Sequence, residues 1–175
     1  DRVVLFVTPT VTPRSCRKLL WEIGEAVHWS RTDPSLPFEY RSIGDRSVAE
    51  AHGALFANLA LNPDWVRRAK RVEESQRAEY LRLASWLDLY DLRRLAARLQ
   101  FDLEVCESDR PESLGARWAE LMFDATRVRH DPRGFLTRLG QRFGSARELR
   151  ARLLSATLAR ALEERFDEDW YRNPR

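Results

Sequence analysis

In Leu19-Leu20-Trp21-Glu22-Ile23-Gly24-Glu25-Ala26-Val27-His28, apolar side chains return at helical intervals. Leu19, Leu20, Ile23, Ala26 and Val27 stand at i, i+1, i+4, i+7 and i+8, one face of a helix with 3.6 residues per turn. The polar residues share another face. At about 100° per residue, Trp21, Glu25 and His28 fall within about 60° of one another, with Glu22 to one side. The spacing predicts a helix from Arg14 to Ser30, with Thr12 or Ser15 as its cap.

On the N-terminal side, residues 2–8 are continuously apolar or β-branched and read as a short buried strand. On the other side, Pro34, Pro37 and Gly44 make the segment from Thr32 to Gly44 a loop. A second helix starts at Asp45 or Ser47 and runs to about Leu61, where Asn62-Pro63 breaks it. A short helical turn follows at Pro63–Arg68. A long helical pattern extends from about Val72 to Leu99 and carries Leu83, Leu87, Leu92, Leu95 and Leu99, widened by Tyr80, Trp86 and Tyr90. Phe101–Val105 either continues it or forms a short extended piece. Pro111 opens another helix, striped by Leu114, Trp118, Leu121, Met122 and Ala125. Asp131-Pro132 and Gly134 break that helix, and a last one runs from about Ser145 to Phe166. The class is therefore mainly α.

The bulk numbers exclude several functions. The chain has 175 residues, the length of one domain with a sizeable core. Its net charge is +3, from 30 Lys and Arg against 27 Asp and Glu. The two signs are interleaved, which suits solvated helix faces rather than a nucleic-acid groove. Arg147, Arg150, Arg152, Arg160 and Arg165 of the last helix read in that way, beside Glu148, Glu163 and Glu164. No apolar run reaches the length of a membrane span. Cys16 and Cys106 form no metal-type pair, read as buried small residues, and suit a reducing, cytoplasmic compartment. Trp65, Trp86, Trp118 and Trp170 sit in apolar patterns and are expected in the core. His52 reads as a structural or surface histidine, and His130, beside Asp131-Pro132, as a loop residue. The strand-like opening and the single methionine at Met122 are expected of a piece of a larger protein or a processed chain.

The stretch around Trp21 also has the frame of H-E-x-G-H-x-x-H. Histidines at i and i+4 share a helix face and can hold one zinc ion, while the Glu at i+1 activates the metal-bound water. Here Trp21 stands at i and Glu25 at i+4, while Glu22, Gly24 and His28 keep their places. Glu50 follows Glu25 by 25 residues. This arrangement resembles the thimet-oligopeptidase-like family of gluzincin zinc metallopeptidases. In a bacterial branch of that family the link between the ligand helices is similar to Thr32-Asp33-Pro34, Leu36-Pro37-Phe38-Glu39-Tyr40 and Gly44-Asp45. Arg142-Phe143-Gly144-Ser145-Ala146-Arg147-Glu148-Leu149-Arg150 resembles the family's F-Y-S-A-R-Y-L-R segment. Phe166-Asp167-Glu168-Asp169-Trp170-Tyr171-Arg172-Asn173-Pro174-Arg175 resembles its closing F-G-E-D-W-W-R-N-P-R. Residues 66–140 match only as a helical pattern.

The resemblance implies a single helical domain over 1–175, a multi-helix, zincin-like piece of a catalytic domain with at most one or two short N-terminal strands. It also implies where chemistry has gone. Trp21 is a degenerate ligand position, since an indole N–H has no lone pair for a metal. Glu22 becomes a vestigial general-base position. Gly144 and Glu148 stand where the family has tyrosines for the oxyanion or the peptide. Glu25, His28 and Glu50 are the candidate ligands for any metal that remains, zinc above all, although no cofactor is expected. The resulting expectation is a non-catalytic pseudopeptidase that binds a peptide or protein partner, such as an N-terminal domain or another subunit, and neither nucleic acid nor membrane. The alternatives are an active metallopeptidase with unusual carboxylate and histidine ligation, and an unrelated helical protein-interaction domain.

Overall fold

A computed structural model describes residues 3–6, 12–69, 72–137 and 143–173. Among the described residues the regular structure is helical, with no strand. The described residues form seven α-helices, in order α1 (Pro13–Arg31), α2 (Phe38–Ser42), α3 (Arg46–Ala57), α4 (Pro63–Ala69), α5 (Glu74–Glu107), α6 (Gly115–Thr126) and α7 (Gly144–Phe166). Short 3-10 turns cover Asn58–Leu61, Pro111–Ser113, Pro132–Thr137 and Trp170–Arg172.

The chain divides into two compact units, Asp1–Ala84 with Arg150–Arg175, and Ser85–Leu149. In the first unit, α1 begins on a capping box. The Thr12 hydroxyl accepts from the Ser15 backbone N–H at 3.2 Å, and the Ser15 hydroxyl accepts from that of Thr12 at 3.0 Å. Pro13 then fills the first helical position, where a missing N–H costs nothing. Asp45 caps α3, accepting from the Ser47 backbone N–H at 2.9 Å. Its carboxylate also holds Arg150 at 2.6 Å. Hydrogen bonding from Ser47, with Arg150 assisting, holds the Asp45 carboxyl below the usual carboxylate range. Buried Cys16 and Leu20 of α1 meet Leu59 and Ala60, and Phe56, Trp65, Trp170 and Tyr171 close over them. Phe56 and Trp170 stand edge to face at 6.2 Å.

The second unit is built around Phe101 of α5, which lies edge-on to Trp118 of α6 at 5.0 Å and to Phe135 at 6.0 Å. Ala97, Leu121 and Met122 complete this core. The Arg93 guanidinium caps the end of α6, donating to the carbonyls of Ala125 at 2.6 Å and Asp124 at 3.2 Å. Arg117 grips Glu104 through two hydrogen bonds of 2.9 Å, which hold the Glu104 carboxyl below its ordinary range.

Several expectations are corrected here. Val3–Phe6 form no strand: they are irregular and exposed, with Phe6 at 91%. A lone extended run needs a partner edge, and none stands among the described residues. The rest of the 2–8 run lies outside the described residues. The loop from Thr32 to Gly44 contains a turn of helix, α2. The long helix does not stop at Leu99 but continues to Glu107, because Phe101 is buried on the same helical path. Trp86 is 59% exposed rather than core, stacked on Tyr90 at 5.7 Å. Cys106 is exposed, while Cys16 is buried as expected.

Candidate functional site

The site is set by how closely α1 and α3 cross. Residues Ala49, Ala51, Gly53, Ala54 and Ala57 of α3 are buried and small. Gly24 of α1 lies directly on that surface. A Cβ at Gly24 would sit 2.3 Å from the His52 carbonyl oxygen and 2.8 Å from the Gly53 Cα. No glycine among the described residues has a positive φ, so Gly24 serves space and not backbone conformation.

Gly53 in turn makes room for Trp21. A Cβ there would lie 2.8 Å from the indole Nε1 and 2.9 Å from Cδ1 and Cε2. The half-buried indole N–H then donates to Glu25 Oε1 at 2.8 Å. The two positions that hold imidazoles in the family frame are therefore bonded to each other. The donor is neutral and the acceptor a carboxylate, the stronger class of hydrogen bond. Glu22 is half-buried one residue along from Trp21. Glu50 is buried at 7% exposure on α3, with Arg46 Nε 3.8 Å from its Oε1.

These residues do not fit the zinc ion of that frame. Trp21 offers the metal no lone pair, and its N–H occupies an oxygen of Glu25. Among the described residues no group of three or more His, Cys, Asp and Glu side chains stands close enough to hold a metal, so Glu25, His28 and Glu50 are not gathered as a ligand set. Gly144 and Glu148 belong to the other unit, where they form the first and second turns of α7. Beside them Ser145 is fully buried, and its hydroxyl donates to the Asp102 carboxylate.

His28 is drawn instead to His52, with ring centres 4.8 Å apart and planes tilted by 40°. Trp29 stands edge-on to His28 at 5.0 Å. The His52 Nδ1 lies 2.9 Å from the Val48 carbonyl, which can only accept, so Nδ1 carries the proton. Burial pushes the His28 imidazole below its ordinary range; His52 adds to that shift and the Glu25 charge opposes it. Both rings face a groove of about 440 Å³ between the end of α1, the 32–45 segment and the start of α3. Trp29, Tyr40, Arg31 and Asp45 also line it.

His52 is the residue that sequence reasoning passed over. It lies about 200° around α3 from Glu50, so it cannot share a site with that residue. The one signal for it is the row of small residues on α3, which announces a close helix crossing. No protein-family model, no curated protein and no solved structure matches this chain.

Proposed function

We infer that this chain is a non-catalytic, metallopeptidase-like helical domain, a pseudopeptidase that binds a peptide or protein partner in the cytoplasm. One observation carries the reading: Trp21 and Glu25, at the two ligand positions, are hydrogen-bonded to each other at 2.8 Å. A peptidase of this frame needs both positions as lone-pair donors, because its base, here Glu22, acts only through metal-bound water. An indole held against Gly53 fills that space with an apolar ring. Binding without turnover is what remains for such a surface. Large apolar side chains exposed on and beside α2 support it: Phe38 at 59%, Tyr40 at 75% and Ile43 at 66%. The free cysteines fit a reducing compartment.

The test is reversal. Zinc-supplemented wild-type protein should leave a library of fluorogenic peptides uncut. The double change Trp21→His with Glu25→His should gain stoichiometric zinc, with Glu50 as third ligand, and hydrolyse little because Gly144 and Glu148 remain. Zinc-dependent hydrolysis by the wild type that disappears in Glu22→Gln would refute the non-catalytic reading. A double variant that takes up no additional zinc would refute the peptidase frame itself.

A further inference from the structure

We propose that His28 and His52 form a two-imidazole site for a first-row transition-metal ion, open to the groove beside α1 and α3. The site is separate from the Trp21–Glu25 positions, and it does not depend on the pseudopeptidase reading.

The geometry comes from the helix crossing. Gly24 brings the backbone of α1 onto His52, and His28 lies one turn further along the same face. An imidazole nitrogen binds zinc at about 2.1 Å, which places each ring centre about 3.2 Å from the ion. Ring centres 4.8 Å apart then subtend about 97° at it, between octahedral and tetrahedral angles.

The tautomer agrees. The His52 Nδ1–H donates to the Val48 carbonyl at 2.9 Å, so Nε2 carries the lone pair. An imidazole fixed through its other nitrogen to a backbone carbonyl is the usual outer support of a histidine ligand. Both histidines line the groove, so water can reach the ion and complete its coordination. With no third ligating side chain gathered among the described residues, the site is open and its ion exchangeable. Imidazole selects copper, nickel and zinc; magnesium and calcium require oxygen ligands.

The chain has only three histidines, so the test is clean. Untagged full-length protein carrying Cys106→Ser, which removes the exposed thiol, is freed of metal and dialysed against Ni2+ or Cu2+. One ion per chain is expected, undisturbed by excess Mg2+ or Ca2+. His28→Gln or His52→Gln should weaken uptake about tenfold or more, and His130→Gln should leave it unchanged. The Cu2+ form with all histidines intact should show electron paramagnetic resonance coupling to two nitrogens, which needs no variant to fold. Uptake in His28→Gln or His52→Gln as strong as in the wild type, uptake lost in His130→Gln, or a copper signal with fewer than two nitrogens overturns the proposal.

Discussion

Gly24→Ala puts a methyl group where the backbone of α3 already runs. The added carbon would stand 2.3 Å from the His52 carbonyl oxygen and 2.8 Å from the His52 carbonyl carbon and the Gly53 Cα. All three obstacles are backbone atoms of a helix, so no rotamer change relieves the clash. The helices must separate by about 1 Å, and overpacking of this kind costs about 3 kcal/mol where the neighbours cannot yield. Alanine returns about 1 kcal/mol through its better helix propensity. The net loss is about 2 kcal/mol, which for a chain of this length lowers Tm by roughly 4–8 °C.

The assay is urea unfolding followed by circular dichroism and by tryptophan fluorescence, with Gly44→Ala as the control. There the new carbon meets only the Tyr40 carbonyl at 3.2 Å, and the midpoint should hardly move. Separation of α1 from α3 should also change the emission of Trp21, which rests on Gly53. A Gly24→Ala protein as stable as the wild type, or more stable, refutes the reasoning. Propensity would then outweigh the clash, and the two helices would not cross as closely as the site requires.

Two further outcomes follow from the same region. Trp21→Phe keeps an aromatic ring against Gly53 but removes the donor to Glu25, and should cost about 1–2 kcal/mol in urea unfolding; no loss would mean that the bond contributes nothing beyond packing. Stability should also fall on acidification through His28. Its imidazole is held below the ordinary histidine range, so the unfolded chain binds the proton more readily than the folded one. That contribution is whole above about pH 6.5 and is lost as the pH drops from there through the lower folded value. The difference in urea midpoint between wild type and His28→Gln, measured from pH 8 to pH 5, isolates it; a wild type that gains stability relative to the variant in acid contradicts the sign.

Much of the fold was legible because local signals agreed. Thr12-Pro13 and Thr32 bracket α1 to within a residue of the expected limits, since capping chemistry marks both ends. Asp45 did the same for the start of α3, but that helix ends at Ala57 and a 3-10 turn carries the chain on to Leu61, the expected end. The Phe101–Val105 piece was ambiguous because its apolar residues alternate, and the burial of Phe101 between Trp118 and Phe135 settled it as helix. Periodicity also placed Trp86 in an apolar pattern. It gave no information on which length of α5 a neighbour covers, and that tryptophan is exposed.

The candidate site was legible only within one helix. Spacing on α1 correctly grouped Trp21 with Glu25, because residues four apart share a face and an indole N–H reaches a carboxylate there. What lies across from that face depends on the helix crossing, and the crossing depends on Gly24 and Gly53. Those two glycines read in sequence as helix weakeners, each less favourable than alanine by about 1 kcal/mol. In the fold they hold two features in place: Gly53 seats the Trp21 ring, and Gly24 lets the backbone at His52 approach α1, one turn from His28. Trp21, Glu25 and the residue that sequence reasoning passed over, His52, are therefore linked by one helix contact. A histidine pair stands one helical turn away, on the groove side, and the same close approach of α1 and α3 holds it together.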